Sequence, residues 1–295
     1  MKFFDLHCDT AYEMYIQNEG LEKNKLAISL ERAKCLDEYR QVMALWCDNE
    51  RSDEECFEDF LKMHENFLRH SPVPAPLGPV AFSLEDARLL CGDIGRLEML
   101  RDMGIRFLIP MWRGKSIIGG AFDTDAGLTD FGKQVIKRCF ELGIIPDISH
   151  CSVQSADEIL SIAERKGRAV IASHSCAYGV HSHPRNLRDE QFLRIKELGG
   201  VVGLSLCAYH LVSEKEKCTI EDILRHFEHY LSLGGEDMTC FGADMDGAPM
   251  PSGILGIESL PFIYNRLCQE FGKEISDKIT YNNAYIFMKK MGINA

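Results

Sequence analysis

No apolar run in the 295 residues approaches the ~20 consecutive residues that a membrane-spanning helix needs. The chain contains no G-x-G-x-x-G and no P-loop after any apolar run, which removes the phosphate cradle expected of a nucleotide-binding open sheet. Positive charge is scarce, with 33 Lys+Arg against 45 Asp+Glu and a formal net charge of -12. Nucleic-acid binding through a general positive field is therefore excluded. None of the twelve cysteines forms a C-x-x-C pair, and Cys47, Cys139, Cys207 and Cys240 sit within apolar runs. Met1 to Asp5 runs straight into polar residues, so no signal peptide is expected. Together these features predict reduced, mostly buried thiols in a cytoplasmic protein. Internal repeats and long linkers are missing too, and the proline-dense stretch from His70 to Pro76 is too short to separate domains.

What the chain does have is eight short apolar or alternating runs, at 3–8, 42–47, 80–84, 105–111, 144–149, 169–173, 201–206 and 240–243, which read as strands. Helical patterns lie between most of them. Thr129 or Asp130 is positioned to cap a helix that stops at Gly143, Ser152 to cap another, and Thr219 with Asp222 to form a capping box before a helix ending at Gly234-Gly235. Two further helices, 260–271 and 276–288, close the chain. Strands alternating with helices over this length predict an α/β fold, a single (β/α)8 TIM-like barrel over residues 1–295 with extra C-terminal helices. The irregular stretch 112–128 then becomes a loop over the active face.

Metal-capable residues fall at the ends of these runs. His7-Cys8-Asp9 closes the first, Glu85 the third, His150 the fifth, His174 the sixth, and Asp244 with Asp246 the eighth. In a parallel barrel such positions converge on one rim. One polar residue at a strand end is commonly structural, but five strand ends marked in the same way point to a site. Residues two apart on a strand share a face, so His7 and Asp9 can ligate one ion together while Cys8 packs on the other side. Three histidines and two carboxylates exceed the needs of one catalytic zinc and suit two ions if one carboxylate bridges, for which Glu85 is the natural choice and Asp86 the fallback. Imidazole and carboxylate without thiolate favour Zn2+, with Mn2+ or Co2+ also accommodated. The remaining polar positions have simpler readings. His64, His70, His226 and His229 read as exposed or capping residues, and Phe57, Phe60, Met63 and Phe67 as a core stripe.

The segments Asp5-Leu-His7-Cys-Asp9, Asp147-Ile-Ser-His150, Ser173-His174-Ser175-Cys-Ala177, Arg185-Asn186 and Gly242-Ala-Asp244-Met-Asp246-Gly247 resemble the renal (membrane) dipeptidase family of zinc peptidases in order and spacing. The resemblance implies an amidohydrolase-type barrel, two zinc ions and a homodimer. It implies that His7 and Asp9 hold one ion, that His150 and His174 hold the other, and that Glu85 bridges. Asp244 would serve in proton transfer, and Arg185 would hold the substrate's terminal carboxylate, a role for which a guanidinium fork is well shaped.

Two departures accompany it. Trp112 stands where the renal enzyme has a substrate-binding histidine, which leaves zinc itself, Arg113, Lys115, His181 or His183 to polarise the reacting carbonyl. The ending Met288-Lys-Lys-Met-Gly-Ile-Asn-Ala has no hydrophobic tail for lipid anchoring, so no membrane anchor is expected. The expected function is a zinc dipeptidase acting on dipeptides with a free C-terminal carboxylate, extending to D-residues at the second position. The alternatives are a two-metal barrel hydrolase of another amide, lactam or ester, and a catalytically silent peptide-binding barrel.

Overall fold

A computed structural model describes residues 1–48, 50–71 and 77–293, with only the backbone of Leu77. Most of the proline-dense stretch therefore lies outside the described residues. Seven parallel strands form one curled sheet: β1 (Lys2–Cys8), β2 (Glu38–Trp46), β3 (Leu77–Glu85), β4 (Ile105–Ile109), β5 (Ile145–Pro146), β6 (Val202–Leu204) and β7 (Thr239–Phe241). Their order across the sheet is β5-β4-β3-β2-β1-β7-β6. Helices cover the outside and bury their apolar faces against it, as a parallel sheet requires. Phe60, Met63 and Phe67 of the helix Asp53–His70 are buried there as expected, while Phe57 lies under the Arg96 guanidinium, 3.9 Å from the ring centroid.

The helix boundaries follow the local signals. Thr129 Oγ1 accepts from Gly132 N–H at 2.9 Å, and Ser152 Oγ accepts from Ser155 N–H at 2.9 Å. Gly143 ends the first of these helices in the left-handed region at φ 73°. Thr219 N–H donates to the Asp222 carboxylate at 2.8 Å. The closing helices are Leu260–Asp277 and Asn283–Lys290, and the first is interrupted at Gly272, φ 80°.

The sixth of the eight expected strands, 169–173, is not a strand among the described residues. It is represented by two isolated parallel bridges, Asp147 to Ile171 and Ala172 to Val202. The predicted strands 144–149, 201–206 and 240–243 shrink to two or three residues each. Two physical causes are visible. The chain turns away at the rim, where His150, Asp244 and Asp246 adopt positive φ of 68°, 63° and 67°. Buried side chains also replace ladder partners there. Asp147 Oδ1 accepts from Ser149 N–H and Ser173 N–H at 2.9 and 3.0 Å, and Asp5 Oδ1 accepts from Ala243 N–H at 2.7 Å.

Two histidines differ from their expected setting. His64 is buried, with Nε2 2.9 Å from the Met103 carbonyl. His226 is fully buried: Nδ1 accepts from Ala177 N–H at 3.0 Å and Nε2–H donates to the Leu211 carbonyl at 3.0 Å. The apolar neighbours of each helix, distant in sequence, close over these rings. His229 instead pairs with Asp189 at 2.8 Å, and His70 Nδ1 lies 3.1 Å from the Asn66 carbonyl, near the helix end.

Two measurements test this framework. A Cβ on Gly242 would lie 1.7 Å from the Ser173 carbonyl oxygen. Gly242→Ala is therefore expected to cost about 2 kcal/mol or more, read as a lowered Tm. Only neutral His226 satisfies both of its neighbours, and burial pushes its pKa down to about 4, with His181 and Arg225 adding to the shift and Asp222 opposing it. The unfolded chain then binds the proton first, so stability falls as pH drops from about 6.5 to about 4, by up to about 3 kcal/mol. His226→Gln should flatten that part of the Tm-against-pH curve.

Candidate metal centre

Parallel strands present their C-terminal ends on one edge, and the residues singled out in the sequence gather there. His7 lies near the end of β1 and Asp9 just after it, Glu85 ends β3, and His150, His174 and Asp244 sit on the turns after β5, the bridged segment and β7. All six are buried or nearly so. Asp86 turns away at φ 81°, with Oδ1 accepting from Arg88 N–H at 3.1 Å, so the fallback position does not face the group.

Glu85 lies between the histidines. Its Oε2 is 3.2 Å from His7 Nε2, while its Oε1 is 3.0 Å from His150 Nε2 and 3.9 Å from His174 Nε2. His7 Nε2 is also 3.5 Å from Asp9 Oδ2 and 3.9 Å from Asp244 Oδ1. His150 and His174 approach through their Nε2 atoms at 2.9 Å. Gly247 makes room: a Cβ there would lie 1.9 Å from Asp9 Oδ2.

The chemistry of these contacts fits divalent cations. His150 Nδ1 donates to the Trp112 carbonyl at 3.1 Å, and burial with nearby Arg185 pushes its pKa down to about 4, so the ring is neutral and Nε2 carries a lone pair. That lone pair faces a carboxylate oxygen and a second imidazole, an arrangement that is favourable when a cation lies between them. His174, held by Ser173 Oγ at 2.8 Å, is likewise driven well below its ordinary pKa by burial and the neighbouring charges of His7 and Arg185. His7 Nδ1 and Nε2, Asp9 Oδ1 and Glu85 Oε2 are buried without a hydrogen-bond partner among the described residues. Burial raises the Asp9 and Asp244 carboxyls, and crowding by the other carboxylates adds to it. His7 is raised although burial opposes its charge, because Glu85 and Asp9 outweigh burial, and Glu85 in turn is held low by His7 and His150. A divalent ion is the natural counter-charge for three buried carboxylates. Two groups of ligand atoms that include His7 lie close enough to share an ion, His7 with Glu85 and His174, and His7 with Asp9 and Asp244.

The group opens into a cavity of about 480 Å3. One wall is aromatic: Tyr12 packs on Trp46 at 4.7 Å between centroids, and Trp46 on Trp112 at 5.1 Å. Trp112 thus lines the cavity and fixes His150 through its carbonyl. Arg185 is buried on the cavity, with Nη1 donating to Ser175 Oγ and Nη2 to the His174 carbonyl, both at 3.1 Å, and with Nε unpartnered among the described residues. Arg113 also lines the cavity, whereas Lys115, His181 and His183 do not. Asp246 accepts from Thr10 Oγ1 and Ala27 N–H, both at 2.6 Å, and buttresses the loops. A larger cavity of about 710 Å3, lined by Lys133, Lys137 and Arg165 among others, contains none of the rim ligands.

Sequence reasoning passed over Cys207 and His210, which also line the cavity. His210 stands four residues past the apolar run 201–206, so the strand-end criterion that singled out His150 and His174 would have reached it with a slightly wider window. The twelve thiols are all unpaired, and Cys8 packs on Met43 with its sulfur 3.3 Å from the thioether. No helix among the described residues is long and apolar enough to cross a membrane.

Comparison with known proteins adds independent findings. The family model described as membrane dipeptidase (Peptidase family M19) matches residues 79–292. An uncharacterized protein in the pqqA 5' region of Klebsiella pneumoniae is 28% identical over 212 residues, covering 68% of this chain and 77% of that one. An uncharacterized dipeptidase of Schizosaccharomyces pombe is 26% identical over 214 residues, covering 70% of this chain and 50% of its own length, so the matched region spans about half of that relative. Among solved structures, a metallopeptidase from Rhodobacter sphaeroides, liganded with a phosphinate mimic of the dipeptide L-Ala-D-Ala, superposes with a TM-score of 0.89 at 21% identity, covering 99% of each chain.

Glu85→Gln keeps the volume but removes the charge and one acceptor oxygen. Metal affinity is expected to fall by about 100-fold or more, measured by metal analysis after dialysis. An unchanged circular dichroism spectrum would separate this loss from unfolding.

Proposed function

The chain belongs to the membrane dipeptidase family, Peptidase family M19, a family of metal-dependent peptide-bond hydrolases, and from that premise we propose that it is a two-zinc dipeptidase. The observation that carries the reading is the placement of Glu85, whose two oxygens address His7 on one side and His150 on the other at 3.2 and 3.0 Å. In this reading His7 and Asp9 hold one ion, His150 and His174 the second, and Glu85 joins them. Mn2+ or Co2+ would suit the same donors. Bound ions supply a Lewis acid for the scissile carbonyl and make a water acidic enough to act as nucleophile near neutral pH.

The chain's own residues supply the rest. Asp244, buried beside Asp9 and His7, takes the proton from the attacking water and passes it to the leaving amine. Arg185 is held at both terminal nitrogens, so its guanidinium is already oriented and its Nε edge is available to a substrate carboxylate. A carboxylate held there, one residue beyond the bond cleaved, restricts substrates to dipeptides with a free C-terminus. The aromatic wall of Trp46 and Trp112 receives the substrate side chains. Acceptance of D-residues at the second position draws support from the L-Ala-D-Ala mimic bound by the Rhodobacter sphaeroides relative. We further read the architecture as a single (β/α)8 barrel over residues 1–295, closed through the bridges at Ile171 and Ala172, working as a homodimer. The twelve unpaired thiols support a cytoplasmic setting.

Trp112 on the cavity wall favours a second reading, hydrolysis of another amide, lactam or ester, because a bulky indole alters which leaving groups fit. One assay separates the two. Metal-loaded protein is offered L,L and L,D dipeptides with free and amidated C-termini. Hydrolysis confined to free C-termini, with kcat/KM falling about 100-fold in Arg185→Gln on those substrates only, is the expected result. Release of amino acids from none of them would refute the dipeptidase.

A further inference from the structure

Asp244 belongs to two groups of donor atoms at once. On one side it stands with His7 and Asp9. On the other, a carboxylate oxygen of Asp244, the Cys207 sulfur and an imidazole nitrogen of His210 all lie within 4.8 Å of one another. Cys207 caps the short helix Ala208–Leu211 that follows β6, so both new donors come from one turn over the cavity. A second observation marks this turn. His210 Nδ1 is buried with no hydrogen-bond partner among the described residues, although its backbone is pinned by Asn186 Nδ2, which donates to the His210 carbonyl at 2.8 Å. The backbone that carries the ring is held in place while Nδ1 stays uncommitted. Burial and the neighbouring Arg185 charge keep the imidazole neutral, the form that ligates.

Thiol, imidazole and carboxylate at one corner, facing a cavity, make a three-donor set with an open fourth position. Its sulfur distinguishes it from the imidazole and carboxylate donors of the main centre: it prefers Zn2+, Cd2+ or Co2+ and discriminates against Mn2+ and Mg2+. We propose that Cys207, His210 and Asp244 form an additional cation site for thiophilic ions, and that its occupation inhibits the enzyme by withdrawing Asp244 from proton transfer. On binding, Cys207 releases its proton to solvent and the thiolate sulfur takes a coordination position. Glu85 and Asp9 supply the main centre with carboxylate charge that this corner lacks, so the site fills only after the main centre does. The inhibitory half rests on the role given to Asp244 under Proposed function, while the binding half stands on the donor geometry alone.

The test titrates Co2+ into metal-free, full-length protein and follows its absorption. The first equivalents, bound by imidazole and carboxylate, should give only visible bands. Later equivalents should add a near-ultraviolet sulfur-to-cobalt charge-transfer band, which Cys207→Ser abolishes and which His210→Ala shifts to at least about tenfold higher Co2+. In parallel, excess Zn2+ should slow dipeptide hydrolysis by the native protein and excess Mn2+ should not, with Cys207→Ser relieving the zinc effect relative to its own activity at low zinc. A native protein that shows no charge-transfer band at saturating Co2+, or a band that survives Cys207→Ser, overturns the site. A Cys207-dependent band without zinc inhibition overturns the inhibitory role. If the band forms but no dipeptide is cleaved under any condition, the cation site stands and the dipeptidase reading falls.

Discussion

The structure is organised by the need to balance buried carboxylates. Asp9, Glu85 and Asp244 are withdrawn from water at one edge of the sheet, and Glu85 reaches imidazoles on both of its sides. Isolated negative charge in such a place is costly, so the surrounding atoms must supply cations, protons or donors. The raised carboxyls of Asp9 and Asp244 and the raised imidazole of His7 are responses to that constraint, whereas burial and the positive charge of Arg185 keep the His150 and His174 rings neutral. Divalent ions satisfy it more completely than protons, because each ion draws several donors together.

The fold serves this by bringing strand ends together and then breaking strand geometry where the candidate ligands begin. Asp5 and Asp147, themselves buried, accept the backbone N–H groups left unpaired as the chain turns at the rim. His150 and Asp244 can then adopt positive φ, a strained conformation for residues with a Cβ and a recurrent one at functional sites. The short β5, β6 and β7 are therefore the cost of aiming their terminal residues inward. Tight packing at Gly242 and Gly203 against the Ser173 carbonyl compensates by holding the bridged segment close to its neighbours.

Much of this was legible in the linear chain. Strand and helix alternation has a local cause, hydrophobic period and capping chemistry, so the helix starts at Thr129, Ser152 and Thr219 matched their signals. Glu85, His150 and His174 could be singled out because a titratable residue just past an apolar run is a local pattern too. The family membership carried by the motifs around His7, His150, His174, Arg185 and Asp244 was likewise readable without coordinates. His64 was misread as exposed or capping because its helix is charged, and His226 because its helix lies outside the rim, while the residues that partner them, Met103 and Leu211, lie on other elements.

The sequence by itself determined which titratable residues follow apolar runs, where most helices begin and which side chains have the chemistry to ligate a metal, since each of these depends on neighbours within a few positions. Only the tertiary structure decided that the 169–173 run contributes bridges in place of a strand, that Asp86 turns away while Glu85 reaches His7 and His150, and that Cys207 and His210 stand beside Asp244. These outcomes depend on distances between elements separated by tens to hundreds of residues. They are set by how the strands curl and pack, a property of the assembled sheet and not of any segment within it.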